Sequence, residues 1–133
     1  MVFKVNFNRN NMRDYSCLEF LKSFHMPYQT LASLASCYYA LYLSGKSEDV
    51  AKWHTVIEGY HAKYSEGYAT LGKASYQGIY VKVSSENLLY KALAGIMTRY
   101  PYGKKEYVTH AIWFFEEKIK ESQMFSSGKE EYV

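Results

Sequence analysis

The chain has 133 residues, 48% apolar and 22% charged, with only two prolines, a composition that suits one folded domain over 1–133 and excludes a disordered chain. Its most apolar stretch runs from Leu31 to Leu43 and is interrupted by Ser33 and Ser36, well short of the roughly 20 residues of a membrane span. The net charge of +3 lies in residues 1–13, where Lys4, Arg9 and Arg13 stand without an acid, while 14–83 carry six bases against six acids and 84–133 seven against seven.

Residues 3–7 alternate, with Phe3, Val5 and Phe7 apolar and Lys4 and Asn6 polar, which predicts a half-buried strand. The asparagines at 8, 10 and 11 then break it. Residues 1–13 are thus read as a basic N-terminal strand or arm. The start lacks the apolar run and cleavage site of an export signal. The expected location is the cytoplasm, or the interior of a virion or nucleoprotein particle.

Asp14 is the expected N-cap of a first helix over 15–24, with Leu18 and Leu21 inward. Pro27 opens a second helix, running to about Leu43. Its spacing points Leu31, Leu34, Tyr38 and Leu41 or Tyr42 inward, and its small residues Ala32, Ser33, Ala35 and Ser36 would let a neighbouring helix approach closely. Ser47-Glu48-Asp49 starts a third helix carrying Trp53, Ile57, Tyr60, Tyr64 and Tyr68, with weakening near Gly67 and an end by Gly72. Residues 79–83 alternate again and are rich in β-branched residues, so they are the second strand candidate. Two isolated strands need a partner, so 3–7 is expected to pair with 79–83. Ser84 or Ser85 caps a fourth helix to about Tyr100, with Leu88, Leu89, Leu93, Ile96 and Met97 inward. Pro101 and Gly103 break the chain before a fifth helix over 104–122. Residues 123–133 read as a loosely ordered acidic tail. The fold class is therefore mainly α: a compact bundle of about five helices with a small two-stranded ribbon.

Tyrosine is the compositional signal, with 15 in the chain. Many must lie at the boundary or surface, because a buried hydroxyl needs a partner. Tyr60 and Tyr64 fit a helical stripe, while Tyr38, Tyr39 and Tyr107 fit the stripes least well and are expected at an interface. Lys4, Arg9 and Arg13 form one basic group. Arg99, Tyr100, Tyr102, Lys104 and Lys105 form another, in which cations alternate with rings as in single-strand binders. Each group also has an ordinary reading as solvated surface.

The remaining chemistry is sparse. His54 and His61 are seven residues apart, about 10 Å along a helix, too far for one metal. His25 and His110 stand alone, and the eleven-residue gap from Arg99 to His110, broken by Pro101 and Gly103, does not suit a helical ribonuclease. Cys17 and Cys37 read as buried free thiols, with a disulfide between neighbouring helices as the alternative. No phosphate loop, nucleophile elbow or dinucleotide motif is present, and Glu116 and Glu117 point about 100° apart on a helix rather than forming a dyad. No cofactor, metal or catalytic residue is expected. The leading expectation is a non-enzymatic binding or assembly protein, virus- or mobile-element-encoded in character. It would contact nucleic acid or a nucleoprotein complex, in several copies, through the tyrosine-rich and basic surface. The alternative is a protein–protein module or inhibitor with no nucleic-acid contact. A third reading is an enzyme whose site gathers His54, His61, His110 and Arg99.

Overall fold

The structure is a computed structural model that describes residues 1–66 and 70–130, with side chains described through Gln123. The expected bend at Gly67, the place of Tyr68 in the third helix and the tail at 131–133 lie outside the described residues. Strands β1 (Val2–Asn8) and β2 (Tyr76–Lys82) pair antiparallel, with Phe3 opposite Val81 and Val5 opposite Ile79. The pairing expected of 3–7 with 79–83 is present. Alternation puts Val5, Phe7, Ile79 and Val81 on a buried face and leaves Lys4, Asn6 and Tyr80 outside. Gly78 stands opposite Asn6, where a Cβ would collide with the Lys4 stem.

Helix α1 (Met12–Lys22) starts earlier than expected, with Asn11 as the N-cap accepting from the Asp14 N–H at 3.2 Å. Asp14 has a different task. It is buried in the first turn and accepts from the Asn8 N–H at 2.8 Å and from Lys105 Nζ at 3.0 Å. A buried carboxylate needs such partners, and this one joins β1, α1 and the last helix. Ahead of β2, Gly72 takes φ +78°, a conformation that suits glycine. Nearby, Leu71 N–H donates to the Asn10 carbonyl at 2.7 Å.

Helix α2 (Tyr28–Lys46) packs on β2 and on two later helices. Its buried side is Leu31, Ala32, Ala35, Ser36, Cys37, Tyr39, Ala40 and Leu43. The expected inward stripe is corrected at Leu34, Tyr38 and Leu41, which are 47%, 41% and 47% exposed. The small residues are the reason. They admit neighbouring elements close to the α2 backbone, so the core forms on that side and the larger side chains face out.

A 3-10 turn (Val50–Trp53), capped by Asp49, leads into α3 (His54–Ser65). Trp53 is fully buried and its indole N–H donates to the Ser47 carbonyl at 2.8 Å. Helix α4 (Tyr90–Arg99) starts later than expected. Ser84 Oγ accepts from Glu86 N–H and Asn87 Oδ1 from Leu89 N–H, and these local bonds compete with helix. Leu88, expected inward, is 97% exposed on this turn segment. Helix α5 (Lys104–Glu130) continues past the expected end at Ser122. Five α-helices and the ribbon, among the described residues, enclose a core to which both strands and every helix contribute. Cys17 and Cys37 are buried and free. Among the described residues, no helix is long and apolar enough to cross a membrane.

Candidate functional site

The two basic groups expected at a surface are largely engaged within the fold. Arg9 donates to Ser75 Oγ, the Tyr76 carbonyl and Gln77 Oε1. Arg13 lies 3.7 Å over the Tyr64 ring and donates to the Tyr64 carbonyl. Lys105 is tied to Asp14 and to the Asn6 carbonyl, and Arg99 donates to the Glu48 carbonyl at 2.7 Å. Lys4 and Lys104 are exposed, over the rings of Tyr80 and Phe3 at 5.9 and 5.1 Å.

The surface placement of Tyr39, Tyr100 and Tyr107 is corrected, because all three are buried. Their hydroxyls are satisfied internally. Tyr39 OH is 2.9 Å from Tyr100 OH, which is 2.5 Å from His110 Nδ1, while Tyr107 OH donates to the Ser36 carbonyl at 2.8 Å. Burial raises the pKa of each phenol. Tyr102 is half-buried, stacks on His61 at 3.8 Å and donates to Glu58 Oε1 at 2.7 Å. That bond pushes its pKa up to about 12. Of the three expected interface tyrosines, Tyr38 is exposed, packed against Phe114 and Phe115.

Two constellations emerge that local spacing does not show. The first is polar. Helix α3 carries His61, and the first two turns of α5 carry Glu106 and His110. His61 Nδ1 lies 2.8 Å from Glu106 Oε2, and His110 Nε2 lies 4.0 Å from the same oxygen. The other His61 nitrogen is 3.3 Å from Ser65 Oγ. Burial, with His61 nearby, pushes the His110 pKa down to about 3, so its imidazole is neutral. Ser65, His61 and Glu106 follow the order of a hydrolytic triad. Ser65, however, closes α3 at its C-terminal end, where free carbonyls rather than N–H donors face outward, the opposite of what an oxyanion needs. Of the four residues grouped for a scattered enzyme site, His61 and His110 come together. His54 is exposed and Arg99 is bound elsewhere.

The second constellation is an open groove between α3 and α5 of about 310 Å³, lined by Tyr42, Gly59, Tyr60, Lys63, Phe114 and Lys118 among others. Lysines stand over its rings and the adjoining ones. Lys46 is 5.2 Å from the Tyr42 centroid, Lys118 lies 5.6 Å from Tyr42 and 5.4 Å from Phe114, and Lys63 is 4.4 Å from Trp113. Glu117, also in the lining, accepts from Tyr60 OH at 2.7 Å. Rings and cations of the kind expected around 99–105 therefore meet here as well, on side chains contributed by α2, α3 and α5.

Comparison with protein-family models, with curated proteins and with solved structures finds no match. Part of the polar constellation carries a sequence signal, because Glu106 and His110 are four apart and share a helix face. The approach of His61 from α3 and the convergence of Lys46, Lys63 and Lys118 from three helices carry none.

Proposed function

We propose that this protein is a non-enzymatic binding protein that holds single-stranded nucleic acid, free or within a nucleoprotein complex, in the groove between α3 and α5. The observation that carries this reading is the set of lysines at the groove, Lys46 and Lys118 over its rings and Lys63 in its lining. Aromatic faces accept any base, and flanking cations neutralise the backbone. A volume of about 310 Å³ lies at the small end of the roughly 300–1,000 Å³ of ligand pockets, enough for flat rings inserted one at a time. Glu58, Tyr102 and the buried tyrosines are occupied with one another, which leaves the groove as the better candidate than the 99–105 loop.

Anisotropy of a labelled single-stranded oligonucleotide tests this. Three lysines on phosphates give a log K against log salt slope of about −2, at roughly −0.7 per contact. The Lys46→Gln, Lys118→Gln double variant is expected to flatten that slope by more than half. No binding at low salt would sink the reading. Deleting 1–13 is uninformative, since it removes β1 and buried Phe7. Lys4→Gln and Lys104→Gln are used instead, and if they alone weaken binding, the contact lies on the ribbon edge.

One observation favours a second reading, a protein partner. Leu34, Tyr38 and Leu41 form an exposed apolar stripe along one face of α2, and such stripes dock on partner grooves. A stoichiometric complex that survives nuclease and is lost in Leu34→Asp would support it over the first.

A further inference from the structure

We propose that His61, Glu106 and His110 form a site for one divalent transition-metal ion of the zinc class, with a coordination position left open to water or to a ligand. The proposal stands apart from the nucleic-acid reading. His61 Nδ1, a Glu106 carboxylate oxygen and His110 Nε2 all lie within 4.8 Å of one another. Donors sharing a zinc at about 2.0–2.2 Å stand roughly 3.3 Å apart in a tetrahedron. The two separations from Glu106, 2.8 and 4.0 Å, need changes of less than about 1 Å to meet that geometry, and the two histidine nitrogens, within 4.8 Å of each other, need no more than about 1.5 Å.

His110 supplies the independent observation. It is fully buried, and its Nε2 has no hydrogen-bond partner among the described residues. A buried polar atom left unpaired is costly and uncommon. This one faces Glu106, and a shared cation would satisfy it. The surrounding hydrogen bonds fit the same role. Histidine ligands usually hold their second nitrogen against an acceptor, which fixes the tautomer. Here His110 Nδ1 meets Tyr100 OH and His61 Nε2 meets Ser65 Oγ, so both metal-facing nitrogens are free to present lone pairs once the His61–Glu106 proton leaves.

The chemistry of the set selects the ion. Two imidazoles and one carboxylate suit zinc, cobalt or nickel, whereas magnesium and calcium prefer oxygen alone. Three protein donors with an open fourth position are the pattern of reactive rather than purely structural zinc. Access is from the His61 side, since the side chains of His61 and Glu106 are 29% and 19% exposed while that of His110 is 0% exposed.

The test is titration of metal-free, full-length protein with Zn²⁺ by calorimetry and with Co²⁺ by visible absorption. The expected result is one ion per chain, tetrahedral cobalt bands and a raised melting temperature, with no response to Mg²⁺. His61→Ala and Glu106→Gln are partly exposed and should still fold. Each is expected to lower zinc affinity by more than the 10–100-fold typical of losing an outer-shell partner. His25→Ala and His54→Ala, at exposed histidines, should bind as the parent does. The proposal is overturned by absence of binding at equimolar zinc. It is equally overturned if binding persists unchanged in His61→Ala and Glu106→Gln, or is lost in His25→Ala or His54→Ala. In those cases the cluster is a structural hydrogen-bond network.

Discussion

Two regions of this molecule are built from the same materials and do opposite things with them. Around Tyr39, Tyr100, Tyr107 and His110, rings pack edge to face and every phenol ends on another buried group. Around Tyr42, Tyr60 and Phe114, rings line an open groove and lysines cover them. The first region is core and the second is its edge, with Tyr42 and Tyr60 half-buried and Phe114 buried. What separates them is the supply of internal partners. A tyrosine can be buried without loss only where a carbonyl, hydroxyl or imidazole waits for its hydroxyl. The contact between α2 and the start of α5 provides those groups, and in the α3–α5 groove the Tyr60 hydroxyl ends on the Glu117 carboxylate.

The contrast can be broken or sharpened by experiment. The largest effect is expected from emptying the buried region. Tyr39→Ala should cost about 3–5 kcal/mol, as truncation of a large buried ring does, read from urea unfolding. Alkaline stability comes next. Tyr39, Tyr100 and Tyr107 hold their protons above the ordinary phenol value of 10.0 in the folded chain. Above that pH the unfolded chain releases protons that the folded chain retains, so it is favoured as pH rises. Stability contributed by these groups is complete below pH 10.0 and lost above it, by up to about 1.4 kcal/mol per pH unit for each. The phenolate absorbance of these three should therefore appear only together with loss of helical circular dichroism. Ionisation of all 15 tyrosines in protein that keeps its helical signal would mean that the cluster is open to water.

Tyr100→Phe is a smaller and more pointed change. It leaves Tyr39 OH and His110 Nδ1 without their partner, at about 1–3 kcal/mol. Substitutions in the groove should do the reverse of those in the core. Lys46→Gln and Lys118→Gln are expected to move stability by no more than about 0.5 kcal/mol while weakening oligonucleotide binding. Gly59→Ala is a small change of the opposite sign in stability. Nothing lies within 4 Å of the added Cβ, so the helix should gain about 0.5–1 kcal/mol. The same methyl narrows the groove, and tighter oligonucleotide binding by this variant would argue against a base entering there.

Legibility in the sequence followed the range of the interaction that decided each feature. The strands were readable because alternation is local, and their pairing followed from two strands having only each other. Helix boundaries failed where short polar side chains offered competing local bonds, at Asn11 and at Ser84 and Asn87. Helix α2 was read inside out at Leu34, Tyr38 and Leu41. Periodicity reports that a helix has two faces, and only close packing on Ala32, Ala35 and Ala40 selects the buried one.

Local sequence is enough for the helical class, for the two strands of the ribbon and for the excess of tyrosine, whereas the antiparallel register comes from the fold. The first three are fixed by backbone preference, by side-chain period or by composition, all of which act over a few residues. The tertiary structure decided which tyrosines are buried and which cations are already bound within the fold. It also decided which residues meet across α3 and α5, from Lys63 and Phe114 in the groove to His61 and Glu106 beside His110. Those outcomes depend on where whole elements dock. Docking is set by the summed packing and hydrogen-bond satisfaction of residues far apart in the chain.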